Sequence, residues 1–524
     1  MIRAGRTLTR TGRFVRDEAG AVLVLWIMSL VAVIAFVALV FDMGRVQVTH
    51  GELQSFADSV ALAAAGELDG RADAIARATA AAAEIADSNV YGGDGTLSGA
   101  GDYTLTFLTG LPASDTAAIT NGYFLESPYD SADDAAARLV RVQVTPVSNN
   151  MNFLAATRAL FGSAGGDTMA TRAEAIAGFT MEACDITPLM FCVPNAGWRA
   201  KANIGQNIRL RTGGNGASWL PGAFGFLDIS AAARGAACAG ASGTKELITC
   251  MIGAESKRTQ CYAQNAVKVE PGQKTGIQND AYNIRFDLIS SDLKDLKDDP
   301  NYTAAPNIIS GRVRKKNDAC VFDNPDPTSP DTVALPHDDC FYDVAGCTPY
   351  ARFGNKTWDY DSYIDTNYGD KDPNTPYDPD TEDPIADYIP AKYAGTRYGV
   401  YLGEILYAKA QNGGVAGGDI LTDRAETGYP QCGIASTDPE RRVLIAAAID
   451  CSSFEDDTSD TDKNNLPVIE FVELFMMEPV GEGTGTGSAK SFDMWVEVIG
   501  SAGERGYGGA GDGGKFRDVV QLYR

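Results

Sequence analysis

The sequence predicts an α+β protein. An N-terminal transmembrane helix extends into a helix-plus-sheet domain, and a mixed, β-rich, disulfide-containing exported region follows. Three observations carry this reading. Gly20 to Phe41 is an unbroken apolar run without charge or proline, and at about 1.5 Å per residue it spans about 30 Å, the thickness of a bilayer's hydrocarbon core. Helical spacing of apolar residues continues past it, with no proline, as far as Leu68. Farther on, runs of strand length recur, and all 10 cysteines lie between Cys184 and Cys451.

The flanks of the apolar run orient it. Arg3, Arg6, Arg10, Arg13 and Arg16 precede it, opposed by Asp17 and Glu18. Asp42, Glu52, Asp58, Glu67, Asp69 and Asp73 follow, with Arg45 the lone basic residue before Arg71. Basic flanks stay in the cytoplasm, so residues 1–19 are expected inside, 20–41 within the bilayer, and the remainder outside. A cleaved secretory signal would need a shorter apolar core and a small-x-small site, which Leu39-Val40-Phe41-Asp42 does not offer. Prepilin-type cleavage after Gly20 would need Glu five residues beyond the cut, where Leu25 stands.

Leu53, Phe56, Val60, Ala63 and Leu68 share a helical face. Asp69-Gly70 is the first stop signal, and Arg71 to Ala86 reads as an Ala-rich second helix. Tyr103 to Leu108 and Leu139 to Val147 alternate as strands; in the latter Val140, Val142 and Val144 lie opposite Arg141 and Gln143. Met151 to Phe161 reads as a short amphipathic helix and Thr168 to Phe179 as a single strand. These elements make a membrane-proximal domain over residues 42–180. The exported β-rich region, 181–524, contains candidate strands at Ile204 to Arg211 and Phe224 to Ile229 and a helix at Lys245 to Ile252. Residues 300–390 are rich in Asp, Pro, Asn and Tyr, a loop region pinned by Cys320, Cys340 and Cys347. Tyr393 to Tyr407 returns to helix. Arg442 to Ile449 is apolar almost throughout, as a strand buried on both faces must be. Val468 to Met476 and Ser491 to Ile499 alternate across the Gly-rich turn Gly481 to Gly487 as an antiparallel hairpin, and Val519 to Tyr523 adds a last strand.

Composition narrows the function. The 524 residues carry a formal net charge of -25, which argues against nucleic-acid binding. An apolar content of 44 % is enough for a packed core. The even cysteine count, in an oxidising compartment, reads as disulfides. No CxxC pair suggests zinc, and His50 and His337 are the whole histidine supply.

Phe14, Asp17, Gly20, the apolar run, Asp42-Met43-Gly44-Arg45, Leu53-Gln54, Ala57-Asp58 and Ala61-Leu62-Ala63-Ala64 together resemble the amino-terminal segment of TadG-like proteins of the tight-adherence (Flp-type) pilus-assembly system of bacteria. Phe56 stands where the family has a small residue. Shorter stretches also look TadG-like: Cys184 to Cys192, Pro221 to Leu227, Arg285-Phe286-Asp287, Asp438 to Arg442, and the terminal Gln521 to Arg524. The resemblance implies a pilin-like first domain, in which one helix leaves the membrane and lays a face on a globular head. It implies a structural or assembly role, with Asp42, Gly44, Leu53, Gln54 and Asp58 as the motif of the helix, and no catalytic residues. The expected setting is a bacterial inner membrane, with the lipid bilayer, pseudopilins and the secretin complex as partners.

The alternative is a membrane-tethered adhesion or metal-dependent module. Many relatives carry a von Willebrand A-type domain, whose metal site needs Asp-x-Ser-x-Ser after a buried strand. Asp450-Cys451-Ser452-Ser453-Phe454 matches in place but ends in Phe454, which has no hydroxyl. Asp359, Asp361 and Asp365 could supply oxygens to calcium, although an EF-hand's glycine and terminal Glu are missing. Gly509 to Lys515 approximates a phosphate loop but is followed by Phe516 rather than Ser or Thr. His337-Asp338-Asp339 reads as a solvated loop rather than a catalytic fragment. No cofactor is expected. Among the cysteines Cys432 and Cys451 are the first candidates for a disulfide, since they bracket the apolar strand at Arg442 to Ile449.

Overall fold

The computed structural model describes residues 19–86, 89–91, 95–97, 101–112, 116–153, 155, 168–184, 186–212, 219–228, 238, 244–255, 261–264, 267–270, 277–311, 329–343, 346–370, 378, 383–454, 463–466, 468–482, 492–503 and 516–523. It divides into two units, Met1–Phe179 with Val519–Arg524, and Thr180–Asp518.

The first unit is built on α1 (Ala19–Gly66), a 48-residue helix about 70 Å long. Its amino-terminal part is apolar on every side and exposed, and it is the one helix among the described residues with the length and hydropathy to cross a membrane. Its carboxy-terminal part is amphipathic and packs. Gly70, at φ +79°, turns the chain; the Asp134 carboxylate takes the backbone N–H groups of Asp73 and Ile75, and α2 (Ala74–Ala86) begins. A sheet forms from β1 (Tyr103–Leu108), β2 (Leu139–Val144) and the first part of β5 (Glu174–Cys184), each antiparallel to the next. The terminal strand Phe516–Leu522 also pairs with β5. Val140, Val142, Phe107, Ala175 and Ala177 meet Leu53, Phe56, Ala57, Val60 and Ala64 of the helix in one core. Each fully buried Val, Leu or Phe there contributes about 1.5–3 kcal/mol.

The stretch Thr168 to Phe179 is two strands, not one. β4 (Thr168–Thr171) forms a hairpin with β3 (Val147–Asn150), while β5 pairs with β2. The cause lies across the sheet. Pro146 separates β2 from β3, has no N–H for a ladder, and interrupts the pairing of the two segments, which resumes at Val147 opposite Thr171. Of the helix expected from Met151, residues Asn152, Phe153 and Ala155 are helical; the rest lies outside the described residues.

The second unit is organised by a sheet that closes on itself. Its strands are β6 (Leu189–Cys192), β7 (Asn207–Thr212), β8 (Ala223–Leu227), β10 (Val267–Glu270), β11 (Val443–Ile449), β12 (Lys463–Leu466), β13 (Glu470–Met476), β14 (Gly481–Glu482) and β15 (Phe492–Gly503), while β9 (Cys261–Ala263) pairs antiparallel with the end of β5 at Glu182–Cys184. The ladder runs β8–β6–β11–β13–β15, and β7 pairs with both ends, antiparallel to β15 and parallel to β8. Six strands thus form a ring. Alternate side chains from all six fill it: Leu189, Phe191, Ile208, Leu210, Phe224, Phe226, Leu444, Ala446, Ala448, Val472, Leu474, Met476, Met494, Val496 and Val498. The other face of β11, with Ile445, Ala447 and Ile449, packs in a separate cluster. Burial on both faces is why its sequence is continuously apolar. β10, β12 and β14 extend the ring outward.

Helices cover the ring: α3 (Thr244–Gly253), α4 (Tyr360–Tyr368) and α5 (Arg397–Gln411). α4 interrupts the loop expected over 300–390. Asp359 caps it by accepting from the Ser362 N–H at 2.9 Å, and Tyr363, Ile364 and Asn367 are buried. α5 starts at Thr396, whose hydroxyl accepts the Gly399 N–H.

Candidate functional site

The functional candidate in the first unit is the place where α1 leaves its apolar run. Asp42 is buried, 1 % exposed, and its carboxylate accepts the Phe153 N–H at 3.3 Å. One position before it, the Phe41 ring lies 5.8 Å from the Phe153 ring. Higher on the helix the Gln54 amide donates both to the Asp58 carboxylate and to the Glu174 carbonyl, each at 2.9 Å; this ties α1 to the start of β5. Leu53 is fully buried in the core. Phe56 is 2 % exposed and meets Tyr103 edge-on at 6.0 Å, so the bulky residue fills a place in the sheet's core. At Gly44 an added Cβ would meet nothing within 4 Å, so no close packing within the chain requires that glycine.

Residues 20–67 match the Tad family, described as Flp pilus-assembly TadE/G-like. The chain is TadG-like. The matched residues coincide with α1 almost end to end, and they make this a membrane-associated protein related to Flp pilus assembly. No curated protein and no solved structure matches the chain.

Beyond α1, the TadG-like chain has a buried polar framework around its closed sheet. Arg397 and Asp338 are fully buried and 2.6 Å apart, and Arg397 also meets Glu497 at 3.2 Å. Glu497 in turn accepts the N–H groups of Arg397 and Tyr398. It therefore supplies negative charge at the start of α5, where the helix dipole favours it; burial nevertheless pushes its pKa up, against the lowering effect of Arg397. Arg442 donates to the carbonyls of Met476, Asn307 and Met477 and lies over the rings of Phe286, Tyr401 and Phe475. Its burial brings its pKa down to about 10. Glu404 is buried beneath Tyr363, Tyr368 and Asn307, all of which donate to it. Burial raises its pKa to about 7, opposed by those hydrogen bonds.

Two stretches singled out in the sequence meet in this framework. Asp287, at φ +59°, gathers the N–H groups of Gln431, Cys432 and Gly433, and Arg285 donates to the Ile252 carbonyl. Asp438 caps the turn Pro439–Arg442, and Arg441 donates to the carbonyls of Thr303 and Gly253. Beside them is a cavity of about 290 Å³ lined by Glu255, Arg285, Tyr393, Tyr398, Arg441 and Glu473 among others. Glu255 accepts there from the hydroxyls of Thr303 and Ser436. These polar groups hold loops to the sheet.

The expected Cys432–Cys451 pair is replaced by another. Cys451 is bonded to Cys192, with Cα atoms 5.4 Å apart. β11 runs parallel to β6 with Ile449 opposite Cys192, so Cys451, two residues past the strand's end, falls beside Cys192. Cys432 packs instead with Cys250, Ile289 and Leu293. Cys184–Cys261, Cys238–Cys250 and Cys340–Cys347 are further disulfides among the described residues; Cys320 lies outside them.

His337 does not sit in a solvated loop. Its ring stacks on Trp495 at 3.7 Å and its Nε2 lies 3.7 Å from Glu478, while the next residue, Asp338, is the buried partner of Arg397. Asp359, Asp361 and Asp365 all lie at or within α4, and Asp359 spends an oxygen on the cap. Among the described residues the one convergent group of metal-type ligands is Glu182, Cys184 and Cys261, in which both thiols are consumed by a disulfide. The Asp450 carboxylate accepts the Ser452 N–H at 3.0 Å, a turn that closes on itself. Gly509 to Lys515 lie outside the described residues.

Proposed function

We propose that the chain is a membrane-anchored structural or assembly component of a tight-adherence (Flp-type) pilus apparatus. It crosses a bacterial inner membrane once, with its amino terminus in the cytoplasm and its bulk in the periplasm. The observation that carries the reading is the coincidence of the family match at residues 20–67 with one continuous helix, apolar below Asp42 and packed against a sheet above it. The arginines ahead of the apolar run support the orientation. Disulfides in the second unit support an oxidising compartment. The action is mechanical: the helix fixes position, and the acidic head offers a surface to pseudopilins or the secretin complex. Deletion of the chain tests this. Assembled pili should be lost, and should return with the full chain but not with a copy lacking residues 20–41. Normal piliation in the deletion strain would refute the assembly role.

A further inference from the structure

Protein covers one face of α1 below the end of the packed head. The buried positions Leu53, Thr49, Val46, Asp42 and Ala38 follow one another in steps of three and four, so they keep to one side of the helix. Ala35, on the same side, is half-buried. The neighbouring Val37, Leu39, Val40 and Phe41 are 43–60 % exposed. Asp42 to Ala35 is about 10 Å of helix axis. Burial on this side therefore reaches Ala38, inside the run that fills the hydrocarbon layer.

At the upper edge of that zone the covering chain is the turn that follows β3. Met151 is buried, Phe153 donates its N–H to Asp42, and the Phe153 ring lies beside that of Phe41. The turn is held from above by the β3–β4 hairpin, where the Asn149 amide donates to the Thr171 hydroxyl at 2.6 Å. A carboxylate at the hydrocarbon boundary is costly unless protein groups satisfy it, and the Phe153 N–H does so for Asp42. The Phe153 side chain itself is 48 % exposed, next to the 60 % exposed Phe41. An exposed Phe beside the end of a membrane span buries its apolar ring at the headgroup–acyl boundary.

We propose that the turn at Met151–Phe153 is a second membrane contact, with Phe153 seated beside Phe41 among the glycerol and upper acyl groups of the leaflet on the head side. This rests on the reading of α1 as a membrane anchor. A helix alone leaves the first unit free to tilt on the bilayer; a second contact beside it fixes which side of that unit faces the lipid.

The test uses the full chain in phosphatidylethanolamine/phosphatidylglycerol vesicles containing a lipid with a diazirine near the glycerol end of its acyl chain. After irradiation, adducts are mapped by peptide mass spectrometry. Adducts are expected in the peptide covering Trp26 to Phe41 and in the one carrying Phe153. In Phe153→Ser the second yield should fall at least fivefold with the first unchanged. Adducts confined to the anchor peptide, an unchanged yield in Phe153→Ser, or equal labelling at the exposed Val415 would each overturn the second contact and leave the anchor standing. No adduct in either peptide would overturn the anchor reading and this inference with it.

Discussion

Glu404 should make the second unit less stable as the pH rises. Its carboxyl is buried against Tyr363, Tyr368 and Asn307, with Arg442 and Glu426 as further charged groups acting on Tyr363. Burial raises its pKa from 4.5 to about 7. A carboxyl whose folded pKa exceeds its unfolded one holds its proton more tightly in the folded state. The stability it contributes is complete below the unfolded pKa and is lost as pH climbs through 7. Between pH 5 and pH 8 the loss works out at about 2.5 kcal/mol for this group. Other carboxyls contribute slopes of their own, so the informative quantity is the difference between the native chain and Glu404→Gln, whose amide oxygen can still accept from both tyrosines. Urea unfolding in detergent, followed by aromatic circular dichroism, gives that difference. The native chain should lose about 2.5 kcal/mol more than the variant across this range. Equal slopes, to within about 0.5 kcal/mol, would refute the account, because Glu404 would then ionise in the fold as it does in water.

Other expectations are as direct. Arg397→Met leaves Asp338 and Glu497 buried without their cation, and should cost about 3–5 kcal/mol in the same unfolding assay. The double variant Cys192→Ser/Cys451→Ser opens a crosslink spanning 259 residues; loop entropy predicts a loss of about 5 kcal/mol, and non-reducing peptide mapping of the native chain should recover that pair. Gly44→Ala, where the added methyl meets open space, should raise the thermal midpoint of the detergent-solubilised chain, since alanine is favoured in a helix by about 1 kcal/mol.

Elements whose signal is local were legible in the sequence. The apolar run of α1 and the spacing of Leu53, Phe56 and Val60 gave the helix and its packed face. The alternation of Val140, Val142 and Val144 gave β2, and the doubly apolar β11 announced a central strand. What the sequence withheld was long-range pairing. Nothing local marks β7 as the strand that closes the ring, because its partners Ala223 and Met494 are chosen by topology. The same applies to the disulfide at Cys451. Cys432 is nearer along the chain, but the parallel register of β11 on β6 decides the partner. Burial of His337 and Asp338 was hidden because a polar loop reads as solvated until Arg397 and Trp495 supply its contacts. Around Asp42 the residues were visible, but Phe153, 111 positions away, was not visible as its neighbour.

In the proposed topology α1 is a single span with the head outside. Paired reporter fusions after Arg524 test it most directly. A phosphatase that folds only in the oxidising periplasm should be active, and a fluorescent protein that matures only in the cytoplasm should stay dark. A bright fluorescent fusion with an inactive phosphatase would contradict the orientation read from the five arginines ahead of the apolar run.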